Sequence, residues 1–283
     1  MKKGLVMEGG ALRGMFTAGV IDVMMENGIE FDGAIGVSAG AAFGCNYKSK
    51  QIGRAIRYNK RFCNDKRYAG WGSWIKTGDF YNVEFDYHVV PRTIDIFDTE
   101  TFENNPMEFY VVATDAVSGK SVYKKIDKGD DYDLLWIRAS ASMPVLSKVV
   151  DIDGGKYSDG GTSDSIPLKY FEEIGYDRNV VVLTQPLDFK KEKNKLVPLF
   201  KIALRKYPNL VKALENRHEM YNETIEYIKK REKNGAVLVI RPDAPLNINP
   251  GERDANELER VYQEGRKVAL RKIEEIKTFL NVF

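Results

Sequence analysis

Phe31-Asp32-Gly33-Ala34-Ile35-Gly36-Val37-Ser38-Ala39-Gly40-Ala41-Ala42-Phe43 decides how this chain folds. The apolar run Phe31–Val37 reads as a strand that breaks abruptly at Ser38, and the small residues from Ala39 to Tyr47 resume at helical spacing. Upstream the same order recurs. Gly4–Met7 is a short apolar strand, Gly9-Gly10-Ala11-Leu12-Arg13-Gly14 a glycine-rich loop, and Met15–Glu26 a helix with Phe16, Val20, Val23 and Met24 on one face. Asn27-Gly28 closes that helix as a C-terminal cap. Strands alternating with helices predict a layered α/β domain with a largely parallel sheet.

Further strands are expected at residues 109–114, 149–152, 180–183 and 236–240. A charged helical stretch fills roughly 196–233, and an amphipathic helix runs from near Asp254 to the C-terminus. The strand-like run at 236–240 suggests that the chain returns to the same sheet after a helical insertion. One domain with a helical C-terminal elaboration is therefore expected, with no internal repeat.

The 283 residues carry a formal net charge of only +2, so the whole surface is no general polyanion binder. Cys45 and Cys63 are too few for a disulfide framework, belong to no CxxC pair, and read as buried thiols. No Cys/His cluster has zinc spacing, so no metal is expected. The N-terminal apolar run Leu5-Val6-Met7 is far too short for a signal-peptide core or a membrane span, and the expected setting is cytoplasmic.

Gly36-Val37-Ser38-Ala39-Gly40 matches G-x-S-x-G at a strand-to-helix junction. A nucleophilic serine must stand on a sharp turn, and glycines at 36 and 40 remove the clash that larger neighbours would cause. The helix that follows aims its N-terminus at the site, so the Ala39 amide can help to hold an oxyanion. A plain turn with a serine N-cap fits the same five residues. In the first loop, Gly9, Gly10 and Ala11 can offer backbone N–H groups to a negative oxygen, with the Arg13 charge and Gly14 beside them. A dinucleotide fingerprint, with Glu30 or Asp32 as the ribose acid, competes for that loop, although its adjacent glycines depart from G-x-G-x-x-G.

Asp159-Gly160-Gly161 and Asp153-Gly154-Gly155 are rival acid-glycine pieces. Asp153-Gly154 follows a strand-like run and is a two-residue hairpin turn signal, which makes Lys156-Tyr157-Ser158 the returning strand. Asp153 then sits at a solvated tip, and Asp159 emerges at the far end of the hairpin. Only His88 and His218 exist. His88 has no motif around it, and His218 lies on a helical stripe with Val211, Leu214, Tyr221, Ile225 and Ile228, so packing is expected of both. A Ser–Asp dyad is simpler than a Ser–His–Asp triad, although His218 does follow Asp159 in the chain order that α/β-hydrolases show.

The order and separation of GGALRG, GVSAG and DGG, with Arg138–Pro144 and Ile166-Pro167, resemble the bacterial patatin-like phospholipase family over roughly residues 4–185. The resemblance implies a three-layer α/β/α fold, with residues 1–185 as the catalytic core and 186–283 as the elaboration. It implies Ser38 as nucleophile, Asp159 as proton acceptor and the Gly9–Gly14 loop as oxyanion hole, through the Gly10 and Ala11 amides with Arg13 nearby. Ala11 stands where the family often has glycine, which is harmless unless the backbone there needs positive φ. The activity implied is cofactor-independent hydrolysis of phospholipid, lysophospholipid or related acyl esters. An acyltransferase working through the same acyl-enzyme, and a non-catalytic nucleotide- or phosphate-binding module built on Gly9–Gly14, are the alternatives.

Residues 48–81 carry nine lysines and arginines against two aspartates, interleaved with Tyr58, Phe62, Tyr68, Trp71, Trp74, Phe80 and Tyr81. Such a mixture predicts docking on an anionic membrane at the inner face. A solvated helix whose basic stems cover aromatic core residues fits equally well. No nucleic-acid motif is present, and no nucleic-acid partner is expected.

Overall fold

The computed structural model describes residues 1–282. Its centre is an eight-stranded mixed sheet. The strands are β1 (Lys2–Met7), β2 (Gly33–Val37), β3 (Glu108–Asp115), β4 (Ser121–Ile126), β5 (Val150–Ile152), β6 (Gly155–Asp159), β7 (Tyr176–Val182) and β8 (Val237–Ile240). They lie in the order β5-β6-β3-β2-β1-β7-β8, with β4 also paired to β3. The pairs β1–β2, β1–β7, β2–β3 and β7–β8 are parallel, and β3–β4, β3–β6 and β5–β6 are antiparallel.

Both faces of the central strands are covered, which is why they read as continuous apolar runs. Successive side chains still part company. Leu5, Met7, Ala34, Val180 and Val182 join the core beneath α1 (Gly14–Glu26) and α2 (Ala39–Lys48). Val6, Ile35, Val37 and Val181 join Phe171 of α7 (Leu168–Glu173) with Tyr221 and Ile228 of α9 (Pro208–Lys233) on the other face. The layers are therefore helix, sheet and helix.

The helical stretch expected over 196–233 is two helices, α8 (Val197–Ala203) and α9. Pro208 forces the break, because the residue before a proline is pushed out of the helical region and Tyr207 adopts φ −129°, ψ 66°. Strand β4 was not foreseen, since Ser121-Val122-Tyr123-Lys124-Lys125-Ile126 mixes charge into its short run. The remaining helices are α3 (Arg54–Phe62), α4 (Trp71–Thr77), α5 (Thr99–Asn104), α6 (Asp131–Ser140) and α10 (Ala255–Leu280), with a π-helical stretch at Phe85–Ile94. Among the described residues no helix is long and apolar enough to cross a membrane.

Helix α10 covers the outer side of α1, and the two touch backbone to backbone through glycines. A Cβ at Gly265 would stand 2.0 Å from the Phe16 carbonyl oxygen, and one at Gly19 would stand 2.1 Å from that of Tyr262. Tyr262 also donates its hydroxyl to Asp22 of α1 at 2.7 Å. Replacing Gly265 with Ala must push the helices apart, with an expected loss of roughly 1–3 kcal/mol. Urea unfolding of Gly265→Ala checks this, and an unmoved midpoint would contradict the close crossing.

Candidate active site

The strand pairing brings the two remote pieces together. One edge of β3 is shared end to end: β2 pairs with it up to Val37↔Val112, and β6 takes over at Ala113↔Asp159. The opposite edge is occupied by β4 at the same residues. Ser38 leaves β2 where Asp159 ends β6, and its hydroxyl lies close enough to the Asp159 carboxyl to favour the ionised form.

Ser38 adopts φ 53°, ψ −118°, a left-handed conformation costly to a residue with a side chain. Two glycines make the turn feasible. A Cβ at Gly36 would lie 2.4 Å from the Gly40 carbonyl oxygen, and one at Gly40 would lie 2.5 Å from that of Met7. The Ser38 amide donates to Ser140 Oγ at 2.8 Å, and the Asp159 amide donates to the Ser142 carbonyl at 2.9 Å. The small residues around 138–144 thus clamp both candidates from the end of α6. In the sequence they showed only as a run of small side chains.

Asp159 is 5% exposed. Burial pushes its carboxyl up from the ordinary value, while the neighbouring Arg217 guanidinium, the Ser38 hydroxyl and the Gly161 amide pull it back. The Gly161 amide donates to Asp159 Oδ1 at 2.7 Å. A Cβ at Gly161 would stand 2.9 Å from that oxygen and 3.0 Å from Arg217 Nη2, so the missing side chain lets the α9 arginine approach the carboxylate. A Cβ at Gly160 would meet the Val112 carbonyl oxygen at 2.1 Å, which keeps β6 close to β3.

The glycine-rich loop divides its labour. Gly9 N–H donates to the Ser165 carbonyl at 3.4 Å, so Gly9 is no free donor, and its bare Cα instead lets the loop press on Ser38. The Arg13 and Gly14 amides are likewise spent, on the Gly10 carbonyl and on the Ala11 and Leu12 carbonyls. Gly14 brings α1 against α2, where an added Cβ would meet that of Ala39 at 2.7 Å. Among the described residues, no protein acceptor takes the N–H of Gly10, Ala11 or Ala39. Ala11, Ser38 and Ala39 line one cavity of about 130 Å³, whose other walls include Phe43, Tyr58 and Val90.

Neither histidine is recorded bonding to Ser38 or Asp159. His218 meets the carbonyl of Glu215 on its own helix at 3.1 Å, and His88 lies on the surface near Asp131. The ribose acids of the dinucleotide reading also lie elsewhere. Asp32 accepts from the Lys3 amide at 2.6 Å, at the end of β1 remote from the glycine loop, and Glu30 pairs with Lys50. Asp153 (φ 51°) and Gly154 (φ 79°) make the two-residue turn between β5 and β6.

Residues 5–172 match the model of the patatin-like phospholipase family. The chain belongs to that family. Residues 207–281 match a domain of unknown function. The uncharacterized protein YjjU of Escherichia coli is 30% identical over 86% of this chain and 69% of its own length. An uncharacterized NTE family protein of Mycobacterium tuberculosis is 25% identical over 63% of the chain, which spans 48% of it. Lysophospholipase nte1 of Aspergillus niger is 26% identical over 62% of the chain, which spans 11% of it. The crystal structure of VipD from Legionella pneumophila covers 95% of the chain at 14% identity with a TM-score of 0.41, a likeness too distant to carry an argument. Family membership places the chain among hydrolases of ester bonds, with lipid esters as the coarse substrate class.

Two sequence expectations are modified by the structure. Ala11 has φ 47°, so alanine stands where glycine would be unstrained. The basic segment 48–81 is not a free patch. Lys48 and Arg54 are buried, Arg57 pairs with Asp95, Lys60 with Glu259 and Arg67 with Asp65, and Phe62 and Tyr68 are core residues. The reading in which basic stems cover aromatic core residues accounts for most of it. Within residues 48–81 most of the exposed apolar surface lies on α4, at Trp71 (62%), Trp74 (36%) and Ile75 (77%).

Releasing the strain at position 11 offers a direct check. Ala11→Gly is expected to be at least as stable as the parent, gaining up to about 1 kcal/mol, because relief of the left-handed alanine outweighs glycine's extra chain entropy. A clear fall in melting temperature would show that the Ala11 methyl packs productively.

Proposed function

We propose that the chain is a serine acyl-ester hydrolase of the phospholipase A or lysophospholipase kind, with Ser38 as nucleophile and Asp159 as its base. The observation that carries the reading is the contact between the Ser38 hydroxyl and the buried Asp159 carboxyl at the seam between β2 and β6. Ser38 Oγ attacks the ester carbonyl and its proton passes to Asp159. The oxyanion that forms is held by the unspent amides of Gly10 and Ala11, with Ala39 at the head of α2 contributing the field of the helix terminus. The alcohol leaves with the proton from Asp159. Water, giving a proton to the same carboxylate, then attacks the acyl carbon, and Ser38 Oγ leaves with that proton as the acid is released. The apolar cavity beside Ser38 suits an acyl chain.

A fluorophosphonate probe followed by mass spectrometry should label Ser38, and Ser38→Ala should lose both the label and p-nitrophenyl ester turnover. Removing a preorganised charge-stabilising group typically costs about 10²–10³ in rate, and Asp159→Asn should lose at least that. His218→Ala should keep most activity, and a variant as inactive as Ser38→Ala would replace the dyad with a triad.

The reaction needs Asp159 ionised. Because burial raises its pKa above the ordinary carboxylate value, kcat/KM should fall on the acid side at a pH higher than a solvated aspartate would give. The sign for stability is opposite. A folded pKa above the unfolded one means that stability is full below the unfolded pKa and is lost as pH rises through the folded one. Asp159→Asn should therefore melt higher than the parent at neutral pH while being inactive, and a lower melting temperature would mean that the charge stabilises the fold.

We also propose peripheral contact with a bilayer through α4, narrowed from the basic segment to its exposed face, with Lys76 on the same short helix. Trp71→Ala with Ile75→Ala should reduce co-sedimentation with anionic vesicles, and undiminished binding would remove α4 from the contact. Residues 186–283 are proposed to complete the domain of residues 1–185, since β8 extends its sheet and α10 covers α1.

A further inference from the structure

Three cations lie within one another's influence near the glycine-rich loop: Arg217 stands beside Asp159, and Lys191 feels the charges of both Arg217 and Arg13. Arg13 comes from the glycine-rich loop, Lys191 from the segment after β7, and Arg217 from α9. Among the described residues none of them has a carboxylate within ion-pairing distance, whereas Arg54, Arg57, Arg231, Arg241, Arg266 and Arg271 all do. The Nε atoms of Arg13 and Arg217 are shut off from solvent with no hydrogen-bond partner. So is Thr184 Oγ1, which a Cβ on Gly10 would meet at 2.7 Å.

The acids nearby are already engaged. Glu8, 1% exposed, accepts from Tyr221 Oη at 2.8 Å and from the Thr184 amide at 2.6 Å, and Asp159 is held by Ser38 and Gly161. Lys191 Nζ lies 4.5 Å from the centre of the Tyr221 ring. Burial and the repulsion of Arg217 and Arg13 hold its ammonium down to about 8 despite the pull of Glu8. Arginine N–H donors shut off from solvent and left without a partner, as the Nε atoms of Arg13 and Arg217 are, are unfavourable unless an acceptor joins them.

The cluster and the apolar cavity part company at Ser38. The cavity is lined by Ala11, Leu12 and Ser38 but by none of Arg13, Lys191 or Arg217. A molecule with an anionic head and an apolar tail would place its ester between the two. We propose that Lys191 and Arg217, with Arg13 and Thr184 Oγ1, form a subsite for the phosphate group of a glycerophospholipid substrate. Oxygens of that group would take the free guanidinium N–H groups and the lysine ammonium. The inference rests on Ser38 as the reacting residue and adds to it which esters are preferred. Thr184, Lys191 and Arg217 lie beyond the matched family residues, so all of the subsite but Arg13 comes from this chain's C-terminal part.

The test compares a lysophosphatidylglycerol with the monoacylglycerol of the same chain length. The ratio of their kcat/KM values should fall about tenfold in Lys191→Gln, through KM, and return in Lys191→Arg. Damage to folding lowers both substrates together, so an unchanged ratio overturns the subsite. Inorganic phosphate gives a readout independent of catalysis. It should raise the melting temperature of the parent protein and raise that of Lys191→Gln less, and equal shifts in both overturn the anion site. A shift that depends on Lys191 beside an unchanged ratio assigns the cluster to free phosphate and overturns the substrate assignment. A parent protein that hydrolyses neither ester refutes the hydrolase reading, while the phosphate shift still decides the anion site.

Discussion

One edge of β3 is shared by two strands laid end to end, and the site depends on that seam. Val37 faces Val112 and Asp159 faces Ala113, so a strand that ends and a strand that arrives meet at neighbouring rungs. Residues 121 positions apart are thereby fixed by backbone hydrogen bonds instead of flexible loops. Side chains placed on strand ends keep their geometry better than those on loops, and hydroxyl-to-carboxyl contact tolerates little error. The glycines at 36, 40 and 160 follow from the same seam, because each lets backbone approach backbone where a Cβ would collide with a carbonyl.

Holding the seam has an electrostatic consequence. The carboxyl proposed to accept the serine proton is buried, and burial resists its ionisation. The environment answers with the Gly161 amide, the Ser38 hydroxyl and Arg217. A carboxyl raised by burial above a solvated aspartate is the stronger base for the serine proton. Ser140 and Ser142 complete the frame by taking the Ser38 and Asp159 amides, so that neither backbone group is left unpaired beside the reacting atoms.

What the sequence disclosed follows the range of the physics involved. GVSAG and the Asp153-Gly154 turn were legible because local sterics restrict which residues can stand there. The choice of Asp159 over Asp153 was legible because a hairpin turns its tip away from its end. Arg217, Lys191, Ser140 and Ser142 were not, since their roles arise from contacts that no spacing rule connects to Ser38. Residues 48–81 illustrate a second limit. Composition reports basic and aromatic residues together but not which way each points, and Arg54, Phe62 and Tyr68 point inward. Gly9 and Gly14 looked like oxyanion donors by type, yet their amides are already bonded, and their service is to let elements touch.

The C-terminal third is tied to the site by more than coverage. Through α9 it supplies Arg217 beside Asp159 and Tyr221 against Glu8, the residue that follows β1 and opens the glycine loop. Through α10 it clasps α1, whose first residue is Gly14 at the end of that loop. The glycine-rich loop is therefore held between two helices contributed from beyond residue 200, and a cation from the same region stands beside Asp159. A seam laid down by the first 160 residues would, without those helices, expose the buried face of α1 and lose the Arg217 charge beside its carboxylate. The elaboration is in that physical sense part of the candidate site.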